Sequence, residues 1–171
     1  MFDNFTDSTK ELIFNAQNLA LENHNTIIEP IHILSSMALS NIESINLLFQ
    51  ELKLNTNLFN QDLKNALKNL AKVDEIQSKI YFSKNTLSLF EKASEQAKNL
   101  KDKFISAEHI LLALVGTDNS DLKRIIEKYQ ITENKILLAM KNIRGDKKVD
   151  NKNADEDYKI IEKYSIDLTK L

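Results

Sequence analysis

The chain has 171 residues, of which 42% are hydrophobic and 28% charged, and its formal net charge is −2. These values are ordinary for a globular protein and give no electrostatic reason to expect a nucleic acid or an anionic membrane as partner. The absence of cysteine excludes disulfides, thiolate nucleophiles and cysteine metal sites. Because no leader-like segment is apparent and no stretch approaches roughly 18 consecutive apolar residues, we expect a cytoplasmic protein without a membrane span.

The scarcity of helix breakers predicts an all-α fold. Only two glycines and one proline occur; turns and sheets often need glycine, whereas helix interiors avoid both residue types. Thr6 precedes a first amphipathic helix, and Pro30 stands at the first position of a second helix, where proline is favoured. A third helix is expected over 42–52 and a fourth over about 56–71.

The same pattern returns 77 residues later. Aligning Phe82 with Phe5 sets the offset (82 − 5 = 77), and one register without gaps then holds for about 50 residues. The aligned pairs include Leu12 with Leu89, Ala16 with Ala93, Ile28 with Ile105, His32 with His109 and Leu34 with Leu111. Amphipathic helices match locally by chance, but connecting lengths rarely agree, so the chain contains an internal duplication.

This duplication predicts the domain organisation. Residues 1–145 are expected to form one domain in which two tandem four-helix repeats, about 5–72 and 82–143, pack as a pseudo-twofold bundle. A spacer around 73–80 joins the repeats.

A change of composition follows the second repeat. Residues 146–157 are almost wholly polar or charged and lack apolar periodicity, which predicts a solvated, flexible linker. A short terminal helix is expected to begin near Asp155 and to include Ile160 and Tyr164. Residues 158–171 are therefore interpreted as the start of a lead-in to a further domain that this sequence does not contain.

No constellation of catalytic residues is present, so we predict that this chain is not an enzyme. The two glycines do not form a phosphate-binding loop, and neither a nucleophile elbow nor a zinc-protease motif occurs. His24, His32 and His109 are too few and too dispersed for a metal site, and His32 and His109 occupy equivalent repeat positions typical of a structural role. We expect no metal and no cofactor in this chain.

Several polar residues are candidates for binding a polypeptide. Thr6, Asp102 and Glu108 are predicted to form a polar rim beside an apolar groove, although capping of helix N-termini also explains the residues at helix starts, Thr6 and Glu108. Phe90 and Phe104 are predicted to line that groove between the repeats, with core packing as the alternative.

The motifs together resemble the Clp N-terminal domain family, which is defined by two tandem copies of a four-helix repeat. The resemblance rests on Phe5-Thr6, on residues 28–34 (IEPIHIL) and on residues 104–114 (FISAEHILLAL). Residues 163–169 (KYSIDLT) resemble the segment that leads into the first ATPase domain of ClpB-type disaggregases. The likeness covers essentially the whole chain.

The resemblance implies the mobile N-terminal domain of a homohexameric, ATP-driven disaggregase that works with the DnaK chaperone system. The domain itself would be a monomer that weakly binds unfolded or aggregated polypeptide and passes it to the central pore. ATP and magnesium would be bound elsewhere in the parent protein. Thr6, Asp102 and Glu108 match positions that the family associates with this function, whereas Lys92 and Gln96 stand where some relatives have leucine.

Two other functions remain open at this point. The chain could be the adaptor-docking N-terminal domain of a ClpA- or ClpC-type unfoldase, which would share the fold but bind a folded adaptor. A stand-alone hydrolase on a helical scaffold would need a nucleophile and a base that the sequence does not offer.

Overall fold

The structure, a computed structural model, describes residues 2–74 and 79–156. Within these ranges it contains eight α-helices, four in each predicted repeat. The first repeat comprises α1 (Asp7–Glu22), α2 (Pro30–Leu39), α3 (Glu43–Glu51) and α4 (Thr56–Lys68). The second repeat comprises α5 (Lys84–Asn99), α6 (Ala107–Val115), α7 (Ser120–Lys128) and α8 (Glu133–Arg144). The predicted all-α fold of two tandem four-helix repeats is confirmed.

The duplication extends to the helix boundaries. Each helix of the second repeat begins 77 residues after its counterpart (84 − 7, 107 − 30, 120 − 43 and 133 − 56). The caps are equivalent too, because Thr6 Oγ1 accepts the Thr9 N–H and Ser83 Oγ accepts the Thr86 N–H. These hydroxyls satisfy amides that have no partner within the first turn of a helix.

Two short strand pairings join the repeats in a crossed arrangement. The strands are β1 (Ile27–Ile28) and β2 (Tyr81–Phe82). They pair in parallel with Ile28 opposite Phe82, and an isolated parallel bridge places Phe5 opposite Ile105. Because Phe82 is the counterpart of Phe5 and Ile105 that of Ile28 (82 − 5 and 105 − 28 are both 77), the two pairings are equivalent. The repeats are therefore related by the predicted pseudo-twofold axis.

Helices α2 and α6 lie at the centre of one hydrophobic core that spans both repeats. They contact each other, and each also packs against the first helix of its own repeat. α2 buries every residue from Pro30 to Met37, and α6 every residue from Ala107 to Leu114. A helix that is buried on all sides brings the polar residues of its first turn into the interior.

The residues after α8 differ from the sequence-based expectation. Gly145 ends α8 with a φ of +57°, which glycine adopts without steric cost, and the chain then returns across the domain. We call residues 149–155 the strap. Val149 and Asp155 are fully buried, and the strap runs into a short 3-10 helix, Ala154–Glu156.

The prediction of a solvated, flexible linker is therefore wrong at the two ends of the strap, where Val149, Ala154 and Asp155 are buried; residues 150–153 between them are exposed. Backbone hydrogen bonds, the buried Val149 and the Asp155 carboxylate hold the strap, and none of these produces an apolar periodicity. The predicted lead-in, residues 158–171, lies outside the described residues. Across 2–74 and 79–156, no helix has the length and apolar character needed to cross a membrane.

Candidate functional site

A buried histidine lies at the start of α6. The Ser106 N–H donates to Nδ1 of His109 at 2.8 Å, so Nδ1 carries no hydrogen. Nε2 therefore holds the ring hydrogen and donates it to Oδ2 of Asp102 at 2.7 Å. Burial lowers the pKa of His109 more than the neighbouring Asp102 raises it, which keeps the ring neutral. His109 orients Asp102 and is not arranged as a metal ligand.

Asp102 is the most heavily bonded carboxylate of this centre. It also accepts hydrogen bonds from Nη2 of Arg144 at 2.8 Å and from the Val149 N–H at 2.9 Å. Burial would raise the pKa of Asp102, but the bonds from His109, Arg144 and Val149 lower it to about 2. The carboxylate is consequently ionised at neutral pH and paired with Arg144 in the interior.

Glu108 lies on the other side of Arg144. Its Oε2 is 3.6 Å from Nε of Arg144, and its Oε1 is buried without a hydrogen-bond partner among the described residues. Burial raises the pKa of Glu108 to about 7; the Arg144 charge opposes this, while Asp155 and Asp102 add to it. Arg144 therefore lies between two carboxyl groups, the ionised Asp102 and Glu108, and Glu108 exchanges a proton near neutral pH.

Thr6 lies beneath the strap at the start of α1. The hydroxyls of Thr6 and Ser8 donate to Oδ2 of Asp155 at 2.8 and 2.7 Å. The carboxylate of Asp155 thus occupies the N-terminus of α1, where the helix dipole favours negative charge. Burial still raises the pKa of Asp155, and its Oδ1 has no hydrogen-bond partner in the described part of the chain.

The two predicted groove phenylalanines are placed differently. Phe90 is only 6% exposed, and its ring contacts Phe2, Phe5 and Phe82 edge-on at centroid distances of 5.4 to 5.8 Å. Phe104 is partly buried against Val149 of the strap. The expectation that Phe90 lines an open groove is wrong in this conformation, because the residue belongs to the aromatic core between the repeats.

The five predicted binding residues therefore form no open rim. Thr6, Asp102 and Glu108 are buried, and Thr6, Asp102 and Phe104 contact the strap. In the described part of the chain, no group of three or more acidic or histidine side chains has an arrangement that could hold a metal ion.

An open apolar groove lies instead on the first repeat, between α1, α2 and α4. Its volume is about 670 Å³. The residues lining it are Leu19, Glu22, Asn23, Ser35, Leu39, Asn60, Gln61, Leu63, Lys64 and Leu67. Leu39 is 64% exposed at its edge, so apolar surface is available to a partner.

Ser35 lies in the wall of this groove. Its side chain is buried, and its Oγ has no hydrogen-bond partner in the described structure. Because this oxygen is shielded from solvent, it does not offer a hydrogen bond to a molecule lying in the groove. The groove therefore presents mainly apolar surface to a partner.

Comparison with known protein families identifies the family that has this fold. The profile of the Clp repeat (R) N-terminal domain matches residues 4–129, well over half of the chain. The chain belongs to this family. The chain is 32% identical over 170 residues to the chaperone protein ClpB of Rickettsia prowazekii, covering 99% of this chain and 20% of that protein. It is 33% identical over 167 residues to ClpB of Vibrio cholerae, covering 98% and 19%.

The chain thus spans about a fifth of the length of these curated relatives. Among solved structures, it is similar to the Hsp104 N-terminal domain from Candida albicans, with a TM-score of 0.75, 24% identity, and coverage of 90% of this chain and 99% of that one. It is also similar to a ClpV N-domain in complex with a VipB peptide, with a TM-score of 0.63, 14% identity, and coverage of 82% and 89%. At such identities these structures show the shared fold.

Sequence reasoning missed three features of the Clp repeat domain: Arg144, Asp155 and the groove beside Leu39. The repeat alignment offered a signal for Arg144. This residue aligns with Leu67 (144 − 67 = 77), which is buried in the first repeat. A charge at a core position requires a buried counter-charge. No sequence signal marks Asp155, which lies in a run of polar residues.

Proposed function

We propose that this chain is the client-receiving N-terminal domain of a ClpB-type disaggregase. In this role it weakly binds unfolded or aggregated polypeptide and passes it to the pore of a homohexameric parent. The relatives named ClpB, which match it over nearly its whole length, favour this function over adaptor docking in a ClpA- or ClpC-type unfoldase. The parent's ATP and magnesium, its cooperation with DnaK, the monomeric state of the domain and a cytoplasmic location belong to the same proposal.

The observation that carries the proposal is the open groove of the first repeat. Its leucines offer apolar contact without a closed pocket. Such a surface recognises apolar character in an extended chain and has little means of reading a sequence. A domain of the same fold has been solved with a peptide bound, which supports peptide binding as a use of this architecture.

Weak binding suits this function. A client that must be pulled into a pore has to leave its receiving site, and six domains on one ring compensate for modest single-site affinity. We expect a dissociation constant of about 1 mM to 0.1 mM for one domain, equivalent to roughly −4 to −5.5 kcal/mol.

Titration of an isotope-labelled chain with a chemically unfolded client protein, followed by NMR, tests the proposal. Shifts should concentrate on the groove, and Leu39→Glu should weaken binding about tenfold by placing a charge where an apolar side chain docks. Leu138→Glu is the matched control, because Leu138 is 60% exposed on α8 and lies outside the groove. Absence of binding up to millimolar concentration, or equal losses in the two variants, would contradict the proposal.

A further inference from the structure

The strap lies on the domain as a bound peptide would. Its first contact is a backbone pairing with the turn before α6: the Lys103 and Phe104 N–H groups donate to the Val149 carbonyl at 2.9 and 3.1 Å. In return, the Val149 N–H donates to the Asp102 carboxylate at 2.9 Å. Further along, the Asp7 N–H donates to the Lys152 carbonyl at 3.0 Å. Main-chain pairing of this kind supplies affinity without reading a sequence.

Only a few strap side chains are held by the domain. Val149 is fully buried in a small cluster with Leu47, Phe104 and Ile143. Six residues later (155 − 149), the Asp155 carboxylate accepts the hydroxyl hydrogens of the residues at the start of α1. The four residues from 150 to 153 are exposed. The surface therefore specifies an apolar residue at one end, a carboxylate at the other and little in between.

We propose that the surface beneath the strap, formed by Thr6, Ser8, Asp102 and Phe104, is a second polypeptide-binding site that the strap occupies in cis. An extended client segment with a small apolar residue followed six residues later by a carboxylate competes with the strap for this site. The inference rests on the proposed function, because it assigns the sequence-predicted residues Thr6, Asp102 and Phe104 to client binding after the strap is displaced.

Two observations support displacement. The strap contributes just two apolar side chains, Val149 and Ala154, to the cluster beneath it, so its release exposes little apolar surface to water. The Oδ1 atom of Asp155 and the Oε1 atom of Glu108 are buried without partners among the described residues. On release of the strap, the Asp155 oxygen gains water as a hydrogen-bond partner, which offsets part of the cost of breaking the strap contacts.

Cis occupancy lowers apparent affinity for a client. A site that is open for a fraction of the time binds with an affinity reduced by that fraction. Loss of the strap contacts should therefore strengthen peptide binding, whereas loss of a residue that serves only the folded core would not.

The test uses a fluorescein-labelled peptide with the sequence of residues 148–156. It is titrated into the wild-type chain, into Val149→Asn/Asp155→Ala and into Asp155→Ala. The matched control is Asp150→Ala, which removes an exposed carboxylate from the same segment. We expect the double variant to bind the peptide at least about tenfold more tightly than wild type. The affinity of Asp155→Ala for the peptide should lie between those of wild type and the double variant, and the affinity of the control should equal that of wild type.

Amide hydrogen exchange supplies the second measurement. The Asp7, Lys103 and Phe104 amides should exchange faster in the strap variants and should be protected again by the peptide. A peptide in which alanine replaces the residue equivalent to Asp155 should restore less protection. If exchange accelerates but the peptide neither binds nor protects, or if exchange is unchanged in both variants, the strap is only a structural part of the domain.

Failure of peptide binding at the strap site can be distinguished from failure of client binding at the groove. Leu39→Glu tests the open groove and leaves the strap contacts intact, so client binding there can fail while the strap site still accepts its peptide. If the client binds at the groove but the peptide does not bind to the strap variants, the second binding site is refuted and the proposed function stands. If the double variant unfolds, as judged by circular dichroism, Asp155→Ala decides the outcome in the same assay.

Discussion

The two repeats place the same hydrogen-bonding frame around different chemistry. In the first repeat, the Glu29 N–H donates to Nδ1 of His32 at 2.8 Å, and Nε2 of His32 bonds to Oδ1 of Asn25 at 2.9 Å. In the second repeat, Ser106, His109 and Asp102 make the equivalent bonds at 2.8 and 2.7 Å. Burial lowers the pKa of His32 to about 4, so both rings are neutral.

The repeats differ in the residues around that frame. Asn25, Ile31 and Leu67 of the first repeat correspond to Asp102, Glu108 and Arg144 of the second (102 − 25, 108 − 31 and 144 − 67 are all 77). A neutral centre has become a buried charge cluster. In both repeats the residue that bonds to Nε2 of the histidine also contacts the segment after the fourth helix. Asn25 donates to the Ala71 carbonyl, and Asp102 accepts a hydrogen bond from the Val149 N–H.

This difference shows where a duplicated fold can specialise. The histidine and its backbone donor are needed in both copies to begin a buried helix. The three charges are not needed for that purpose, because the first repeat begins its helix without them. Their effect is to hold the strap through Asp102, which connects the charge cluster with the proposed second binding site.

The largest effect is expected from removing the cation of the cluster. Arg144→Leu copies the first repeat at one position and leaves Asp102 and Glu108 buried without a counter-charge. We expect the free energy of unfolding to fall by about 3–5 kcal/mol, measured by urea denaturation at pH 7.

The control for this variant copies all three positions. The variant Asp102→Asn/Glu108→Ile/Arg144→Leu should recover to within about 2 kcal/mol of wild type, because no isolated charge remains. If the triple variant is as unstable as Arg144→Leu, the centres around His32 and His109 are not interchangeable, and the three substitutions do not account for the difference between the repeats.

The reverse substitution should have the next largest effect. Asn25→Asp places a carboxylate in the first repeat, where Leu67 stands at the position equivalent to Arg144, and the donor to the Ala71 carbonyl is lost. We expect a loss of about 2–4 kcal/mol at pH 7, again from urea denaturation. The loss should shrink at pH 5, since a protonated carboxyl can donate to that carbonyl. Asn57→Asp, at an exposed position, is the control and should change stability by less than about 0.5 kcal/mol.

The raised pKa of Glu108 in the second repeat predicts that the free energy of unfolding depends on pH. This pKa is raised from 4.5 to about 7, so the folded chain binds this proton more tightly than the unfolded chain. The resulting stabilisation is complete below the unfolded pKa and is lost as pH rises through the folded pKa. Glu108→Gln should therefore gain about 2–3 kcal/mol relative to wild type between pH 5 and pH 8.

The measurement for Glu108→Gln is urea denaturation of both proteins across that range. His109 titrates in both, so its opposing contribution largely cancels in the difference. The equivalent substitution in the first repeat, Ile31→Gln, should show a constant difference from wild type. A flat difference for Glu108→Gln would mean that this carboxyl does not titrate in the folded chain.

The smallest predicted effect concerns a surface contact between the repeats. Asp62 of α4 accepts hydrogen bonds from Lys128 at 2.7 Å and from the Tyr129 hydroxyl at 2.5 Å. Asp62→Asn should reduce stability by about 0.5–1 kcal/mol, measured as a shift in the thermal midpoint. Asp121→Asn removes an exposed, longer contact with Arg124 and should have no measurable effect; a similar shift would reflect general surface charge.

The sequence predicted the fold well because a repeat supplies its own alignment. The 77-residue offset relates the helix starts of one copy to those of the other, and the N-cap Thr6 and the first-position Pro30 mark two of them locally. The crossed pairing of Phe5 with Ile105 could not be predicted, because a periodic pattern specifies which face is buried but not which strand from the other copy meets it.

The site was less accessible to sequence reasoning. The sequence predicts Thr6, Asp102 and Glu108 as a polar rim, but their burial depends on Arg144 and on a segment with almost no apolar residues. Composition predicts whether a segment can form a core of its own. It does not predict that the backbone of such a segment will pair with a turn elsewhere in the chain, as at Phe104 and Val149.

The crossed strand pairings also bear on the origin of this domain. A single repeat contains one phenylalanine edge and one isoleucine edge, equivalent to Phe5 and Ile28, and each finds its partner only on the other copy. An ancestral single-repeat protein would therefore have been complete only as a symmetric, arm-exchanged homodimer. Gene duplication would then have fused its subunits, and the fusion freed each half to mutate separately.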